Sequence, residues 1–226
     1  MIKNMKGVDK AMNVIEKKKK VMTSFIEATE DLMKEDDIDE ISIRKIAKRA
    51  GYNSATLYYY FEDLEHLILF ASIRYLREYT SALAKNIKKD MTTMEKYRTV
   101  YETFNHYAFR SPVIFHNMFF GKYSPMLLEV IKEYYDIFPD DLEGHDELLR
   151  GLLTQGNMYS RDKQMVDQLV SEGTIEDKKS DITLKIIISV HESYVYEAMI
   201  QGDKLDLDSH EKSFLEIFDY LLDNAK

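Results

Sequence analysis

Residues 41–61 combine the types of side chain with which proteins bind nucleic acid. The cationic and phenolic residues of this stretch are Arg44, Lys45, Lys48, Arg49, Tyr52, Tyr58, Tyr59 and Tyr60, and it contains no aspartate or glutamate. Guanidinium and ammonium groups pair with phosphate oxygens, and tyrosine hydroxyls also donate to the DNA backbone. The whole chain has a formal net charge of −9. A basic stretch without acids in such an acidic protein therefore indicates a DNA-binding surface.

Two short helices joined by a tight turn are predicted to position these side chains. Ser42 can cap the first helix, because its hydroxyl can accept a hydrogen bond from a backbone N–H of the first turn. Gly51 can end that helix in the left-handed conformation. Asn53 can cap the second helix, which we expect to run to about Tyr60. The residues that open this second helix are small, namely Ser54, Ala55 and Thr56. Its N-terminal end can therefore approach base edges closely.

The segment IRKIAKRAGYNSATLYYYF, with its A-x-x-A-G turn and its L-Y-x-x-F ending, resembles the DNA-binding signature of TetR/AcrR-type transcriptional regulators. The resemblance covers roughly residues 21–70. It implies an all-α protein with a three-helix helix-turn-helix head, at residues 1–62. A larger helical domain for effector binding and dimerisation follows at residues 63–226. The resemblance also implies a double-stranded DNA operator, a small-molecule effector and a homodimer; we expect no cofactor.

The predicted DNA contacts lie in the head. They are Lys17, Lys20, Ser42, Arg44, Lys45, Lys48, Asn53, Ser54, Ala55, Thr56, Tyr58, Tyr59 and Tyr60. The run from Lys17 to Lys20 begins the first predicted helix, which borders the DNA in this family. Lysines at such a position would contact phosphates without reading sequence. The alternative is a solvated helix end without a function.

The sequence departs from the family directly after the signature. Relatives commonly place a lysine in a K-[SN]-K-like run there, whereas this chain has Glu62 and Asp63. Acids suit a helix N-terminus, but they repel phosphates. The alternative function is therefore a helical ligand-binding or protein-interaction module with weak or lost DNA binding.

The two C-terminal helices carry a second signal. We expect one over residues 181–201, capped by Asp181, and the other after a capping box of Asp208 and Glu211. The first is apolar on more than one face, and the second has a stripe that includes Phe214 and Phe218. Such helices are buried on most sides. They are either ordinary core helices or half of a four-helix dimer interface, which the family resemblance favours.

An aromatic-rich region lies between the head and these helices. The resemblance implies an effector pocket here, and the predicted pocket residues are Tyr75, Tyr79, Tyr101, Phe104, Phe115, Phe119, Tyr123, His191 and Tyr194. The alternative is a solid aromatic core. A pocket made of these residues would be chiefly apolar with a few hydroxyl or imidazole groups. Such a pocket predicts a small hydrophobic effector.

Other classes of function find little support. The chain has no cysteine, and its six histidines lack metal-ligand spacing. Nucleophile elbows and phosphate-binding glycine motifs are missing, so we expect no enzyme, no catalytic residues and no metal site. No run of 18 apolar residues and no apolar signal region occur. We therefore expect a cytoplasmic protein without a membrane partner.

Overall fold

The computed structural model describes residues 2–35, 40–139 and 158–226, with side chains from residue 15 onward. These residues form ten α-helices and no strand. The helices are α1 (Ile2–Glu35), α2 (Ile43–Ala50), α3 (Ser54–Leu57), α4 (Leu64–Asn86), α5 (Thr93–Ala108), α6 (Pro112–Phe119), α7 (Leu127–Ile137), α8 (Met158–Ser171), α9 (Asp177–Gln201) and α10 (Leu207–Asp223). Two short 3₁₀ helices, Ser124–Met126 and Gly202–Lys204, precede α7 and α10. The prediction of an all-α fold with an N-terminal helix-turn-helix is confirmed.

The chain divides into two compact units. Among the described residues, the first contains 2–35, 40–72 and 132–139, and the second contains 73–131 and 158–226. The predicted boundary at residues 62 and 63 is a functional one and stays a prediction. No helix among the described residues is long and apolar enough to cross a membrane.

The first unit has an aromatic core. In it α1 packs against α2, and α2 packs against α3. The buried ring of Phe25 stacks on Tyr52 with centroids 5.4 Å apart, and it meets the edge of Phe61 at 6.3 Å. Phe61 in turn contacts Phe70 at 5.3 Å. These contacts hold α1 against the helix-turn-helix and fix the orientation of the short helix α3.

The turn between α2 and α3 has the predicted chemistry. The Ser42 hydroxyl accepts a hydrogen bond from the backbone N–H of Lys45 at 3.3 Å. Gly51 has φ of +77°, in the left-handed region that only glycine adopts without strain. The Asn53 side-chain oxygen accepts a hydrogen bond from the Thr56 N–H at 2.9 Å. All three local predictions are confirmed.

Several predicted helix ends are wrong. Helix α1 begins at Ile2 rather than near Lys17, and α3 ends at Leu57 because the three tyrosines continue as a turn. Helix α9 begins at Asp177 rather than Asp181. Asp181 instead lies within the helix, where its carboxylate pairs with Lys185 at 2.8 Å. The sequence also predicts a helix over residues 142–160, which lies largely outside the described residues.

The start of the last helix also differs from the prediction. Asp206, not Asp208, caps α10, and its carboxylate accepts a hydrogen bond from the Ser209 N–H at 3.2 Å. Because Asp206 uses the cap position, Asp208 falls in the first turn, where an acid still suits the helix dipole.

The second unit is built around rings from α5 and α10. Tyr101 and Phe104 of α5 are fully buried, as are Phe214 and Phe218 of α10. The ring centroids of Tyr101 and Phe218 lie 4.9 Å apart. Phe214 and Phe218 therefore belong to the core of the second unit rather than to an outer face of α10.

Candidate functional site

The helix-turn-helix presents its tyrosines to solvent. Tyr58 is 58% exposed and Tyr59 is 84% exposed, which is far more than tyrosines of a folded core show. Tyr60 is half-buried, and Leu57 beside it is fully buried. The α3 segment therefore anchors itself through Leu57 and leaves two adjacent phenol rings available to a partner.

The small residues predicted to approach DNA form the start of α3. Ala55 is exposed, and Ser54 and Thr56 are half-buried. The Thr56 hydroxyl contacts the Asn53 side-chain oxygen at 3.0 Å, and the same oxygen accepts from the Thr56 N–H. Asn53 and Thr56 are thus held in place by the cap, and the only bulky side chain of α3 is that of Leu57, which is buried.

The cations around the helix-turn-helix divide into two groups. Arg49 pairs with Glu35 at 2.5 Å, and Lys45 lies 3.7 Å from Glu40. Arg44 and Lys48 are exposed and form no ion pair with any residue that the structure describes. Their charges are consequently available for phosphate groups.

The lysine run of α1 divides in the same way. Lys18 pairs with Glu133 of α7 at 2.8 Å, and the Lys19 ammonium donates to the backbone carbonyl of Asp136. Lys17 and Lys20 are exposed and make no ion pair within the described parts of the chain. Among the described residues, Lys17 and Lys20 are therefore the two lysines of this run whose ammonium groups have no internal partner.

The acidic segment after α3 has a structural role. The Asp63 carboxylate accepts a hydrogen bond from the His66 N–H at 3.0 Å, at the start of α4. The His66 ring nitrogen Nδ1 accepts from the Glu62 N–H at 3.1 Å, and burial lowers the pKa of His66. Asp63 and His66 therefore close the first turn of α4 and connect it to the end of the helix-turn-helix.

Six of the predicted effector residues lie together in the core of the second unit. Phe104 is the central ring, and its neighbours from the predicted set with their centroid distances are Tyr79 at 5.2 Å, Phe115 at 5.4 Å, Phe119 at 5.0 Å and His191 at 5.0 Å. Tyr101 contacts His191 at 5.3 Å. This part of the predicted set forms one continuous cluster.

The other three predicted effector residues have different surroundings. Tyr75 is half-buried, and the buried ring of Tyr123 faces the Lys122 ammonium at 4.7 Å. The hydroxyl of Tyr194 hydrogen-bonds to Ser213 at 2.8 Å, and its ring contacts His210 at 4.6 Å. The assignment of the nine residues to an effector site remains a prediction.

A buried polar cluster accompanies these rings, and sequence reasoning missed it. Arg161 and Asp162 of α8 are both buried. The Arg161 guanidinium lies over the Phe104 ring at 5.1 Å, and the Asp162 carboxylate accepts a hydrogen bond from the Tyr101 hydroxyl. Helical spacing could have revealed it, because Met158, Asp162 and Val166 are four residues apart and share one face.

Two open cavities lie elsewhere in the second unit. The larger, of about 580 Å³, is lined mainly by α4 and α5, including Lys85, Asn86, Thr103 and His106. The smaller, of about 380 Å³, shares Lys85 and Asn86 and extends to Arg77. Both are polar surface grooves, and none of the predicted effector residues lines them.

The burial of His191 gives a testable pH dependence. Burial, and next the positive charge of Arg161, lower the pKa of His191 from 6.5 to about 3. The His191 imidazole therefore stays neutral in the folded state at pH values at which it is protonated in the unfolded state. The contribution of His191 to stability is complete above pH 6.5 and is lost as the pH falls from there towards 3. We expect the free energy of unfolding to drop by about 2 kcal/mol between pH 7 and pH 5 on this account.

Urea unfolding at the two pH values measures this loss, with His191→Gln as the test variant. Glutamine keeps a donor for the Asn105 side-chain oxygen, which the His191 ring now contacts at 2.9 Å. The variant should lose most of the difference between pH 7 and pH 5. His106→Gln, at an exposed position, should behave as the unmodified protein does. An equal pH dependence in all three proteins would contradict the assignment.

Comparison with known proteins agrees with this geometry. Residues 25–69 match the family model of bacterial regulatory proteins, tetR family. An uncharacterized HTH-type transcriptional regulator of Haemophilus influenzae is 25% identical over 91 residues, which are 40% of this chain. The match spans about half, 49%, of that relative. The matched family segment contains α2 and α3, the elements that present the exposed tyrosines.

Two solved structures share the fold. The fatty acid degradation regulator FadR from Bacillus halodurans superposes with a TM-score of 0.52 at 14% identity, covering 87% of this chain and 93% of that one. FadR from Thermus thermophilus, a TetR-family repressor solved in complex with lauroyl-CoA, gives a TM-score of 0.53 at 14% identity, covering 87% and 92%. At such low identity the likeness extends to the fold alone.

Proposed function

Because this chain carries the helix-turn-helix domain of the TetR family of bacterial regulators, we propose that it is a homodimeric, sequence-specific transcriptional repressor. A small hydrophobic effector releases it from DNA. The observation that carries the proposal is the surface of α2 and α3. There Tyr58 and Tyr59 are exposed and Arg44 and Lys48 have no internal ion pair among the described residues.

DNA recognition divides between backbone and base contacts. Lys17, Lys20, Arg44 and Lys48 bind phosphates, which positions the head without reading sequence. The start of α3, where Ala55 is small and exposed, faces the base edges of the major groove. The acidic remainder of the chain repels DNA and so favours approach through the basic surface.

Dimerisation uses the outer face of α9. Its exposed large apolar residues are Ile182, Ile186, Tyr196 and Ile200, whose exposed fractions are 57%, 38%, 54% and 68%. Exposed Ser189 and Ser193 lie between them on the same face, and small side chains allow two helices to approach closely. A stripe of this kind on a 25-residue helix favours a self-complementary two-fold interface.

The effector acts by shifting a conformational equilibrium. It binds in the aromatic part of the second unit, around Phe104, and prefers the dimer conformation whose head spacing does not fit DNA. The extent of release is limited by the difference between its affinities for the two conformations. The apolar ring cluster favours a hydrophobic effector, and the lauroyl-CoA complex of the Thermus thermophilus protein provides a parallel for an acyl chain.

The acids Glu62 and Asp63 support a second candidate function. They stand where the family has a phosphate-binding lysine, and Glu62 is exposed. A helical ligand-binding or protein-interaction module that has lost strong DNA binding would carry such a change. A salt-dependent mobility shift of a promoter fragment separates the two, because only the repressor produces it.

Capture of genomic DNA tests the proposed function. Sheared DNA from the organism that encodes the protein is incubated with the immobilised chain, washed at rising salt and sequenced. We expect enrichment of a few fragments that share a two-fold symmetric sequence with half-sites about one DNA turn apart. Retention of fragments without a shared sequence would contradict a sequence-specific regulator. As a control, Arg44→Glu combined with Lys48→Glu should abolish the enrichment.

A further inference from the structure

Arg161 and Asp162 place two ionisable groups inside an aromatic core. The exposed fraction of Arg161 is 7% and that of Asp162 is 1%. Burial of such groups is costly unless each is paired and its remaining hydrogen-bonding sites are satisfied. A chain that needed only a core at this position could have used leucine and methionine, as it does elsewhere on α8.

The hydrogen-bonding groups of Arg161 and Asp162 are only partly satisfied. The Arg161 Nε atom donates to one Asp162 oxygen at 3.2 Å, whereas the other oxygen accepts from the Tyr101 hydroxyl. The Arg161 Nη2 atom is buried and has no hydrogen-bond partner among the described residues. A buried arginine usually presents two parallel N–H groups to a carboxylate, so one edge of this guanidinium remains available.

Three further polar atoms close to the same rings are also buried and unpartnered within the described part of the chain. They are Tyr79 Oη, Asn105 Nδ2 and His191 Nδ1. The rings of Tyr79 and His191 and the Arg161 guanidinium all lie between 5.0 and 5.2 Å from the Phe104 ring centroid. Asn105 is joined to His191 by the hydrogen bond to its side-chain oxygen.

These atoms have an excess of hydrogen-bond donors. Arg161 Nη2 and Asn105 Nδ2 can only donate, and the Tyr79 hydroxyl can donate as well. Of these four atoms, His191 Nδ1 is the one that can only accept, since the other ring nitrogen faces the Asn105 oxygen and donates to it. A buried donor without a partner costs about 1–3 kcal/mol, so a group rich in lone pairs is strongly favoured here.

We infer that this cluster binds the carboxylate of a hydrophobic monocarboxylic acid, with the Arg161 guanidinium and the Tyr79 hydroxyl as donors to its oxygens. The inference rests on the proposed effector site and names the chemical class of its ligand. A carboxylate offers only acceptors, and its hydrogen bonds to a guanidinium are charge-assisted. The rings of Phe104, Phe115 and Phe119 contact the apolar body of the acid, after the small side-chain rotations that commonly accompany binding.

Other head groups fit the cluster less well. An amine would face the positive charge of Arg161, and the neighbouring Asp162 would repel a doubly charged phosphate more strongly than a single carboxylate. A neutral alcohol or thioester could accept hydrogen bonds from these donors, but the bonds would be weaker because its oxygen carries no charge. The cluster therefore discriminates by head group, whereas an ordinary aromatic pocket would discriminate only by the size of the apolar body.

Isothermal titration calorimetry with ligands of one chain length tests this discrimination. The probes are decanoate, 1-decanol and decanoyl-CoA, with octanoate and dodecanoate as length controls. We expect decanoate to bind at least ~10-fold more tightly than 1-decanol, because charge-assisted hydrogen bonds are about twice as strong as neutral ones. Equal affinity for acid and alcohol, a preference for decanoyl-CoA, or no binding of any acid would overturn the inference.

Tyr79→Phe is the decisive variant, because it removes only a hydroxyl that has no described partner. Its stability should be unchanged or slightly raised, whereas its affinity for decanoate should fall about 5- to 10-fold. Arg161→Lys keeps the positive charge but loses the guanidinium's two parallel donors. It should therefore weaken the binding of decanoate more than the binding of 1-decanol. Tyr107→Phe, whose ring centroid lies 6.2 Å from that of Tyr79 and which lines the open cavities instead, should leave decanoate binding unchanged. Unaltered affinity in Tyr79→Phe would overturn the assignment.

A parallel DNA-binding measurement separates this inference from the proposed function. If the protein binds its enriched DNA fragment but no acid binds in an Arg161-dependent way, the acid-site inference is wrong and the proposal of a repressor still holds. If an acid binds in an Arg161-dependent way but no DNA fragment is bound specifically, the proposal of a repressor is wrong and the acid-site inference still holds.

Discussion

Replacing Ile186 with glutamate is expected to convert the protein from a dimer, of twice the 26.6 kDa mass of one chain, into a monomer. Ile186 lies in the middle of the exposed apolar stripe of α9, with Ile182 one turn before it. A two-fold interface would contain the new carboxylate twice, and an unpaired buried charge costs several kcal/mol even after relaxation. The dimer dissociation constant should rise by more than ~100-fold.

Light scattering at micromolar concentration measures this change. Ile200→Glu provides a second variant that is safe for the protomer fold, because Ile200 is 68% exposed and contributes little to its own core. Lys163→Glu, at an exposed position on α8, is the control and should remain dimeric. A monomer mass for the unmodified protein, or dimers in all variants, would contradict the α9 interface. Phe218→Glu is unsuitable, since Phe218 is buried in the core of its own protomer.

Replacing Tyr58 with alanine is expected to weaken binding to the enriched DNA fragment by ~10-fold or more, since lost contacts at a DNA interface cost about 1–3 kcal/mol each. The fold should be unaffected, because Tyr58 follows the end of α3 and its side chain is 58% exposed. The variant should keep its dimer mass and its unfolding midpoint. Fluorescence anisotropy with a labelled duplex measures the affinity.

Two matched variants define what Tyr58 contributes. Tyr58→Phe keeps the ring and removes the hydroxyl, so it separates ring contacts from a hydrogen bond to the DNA backbone. Tyr159→Ala removes a partly exposed tyrosine of α8 that hydrogen-bonds to Asp181 at 2.8 Å, and it should bind DNA normally. If Tyr58→Ala bound the duplex as tightly as the unmodified protein, the placement of α3 at the DNA would be wrong.

The helix-turn-helix could be predicted from the sequence because its determinants are local. Ser42, Gly51 and Asn53 each act within three or four residues, through one hydrogen bond or one backbone conformation. Leu57 and Phe61, which are four residues apart and therefore face the same side, are both buried. Such features depend little on the rest of the fold, so local rules were sufficient.

Tertiary contacts decide the positions at which the sequence prediction was wrong or left two alternatives open. Asp181 has the residue type of a helix cap, but the ion pair with Lys185 and the hydrogen bond from Tyr159 hold it inside α9. Phe218 belongs to a stripe that either an interface or a core could bury, and contacts with Tyr97 and Tyr101 place it in the core.

The buried pair of α8 was missed because both residues are charged. Arg161 and Asp162 are of types that almost always lie at the surface, and only the packing of α8 against α5 and α9 shows otherwise. Its partners, Tyr101 and Phe104, are about 60 residues away in sequence. No local rule connects residues so far apart.

The most direct test of the repressor assignment is the affinity for the enriched duplex and for a shuffled duplex of equal composition, across a salt series. Lys17, Lys20, Arg44 and Lys48 from each of two protomers would contact eight phosphates. The logarithm of the binding constant should then fall against the logarithm of the salt concentration with a slope of about −7. The enriched duplex should bind at least ~10³-fold more tightly than the shuffled one, with two protomers per duplex. Equal affinity for the two duplexes, or binding that does not weaken with salt, would contradict the account.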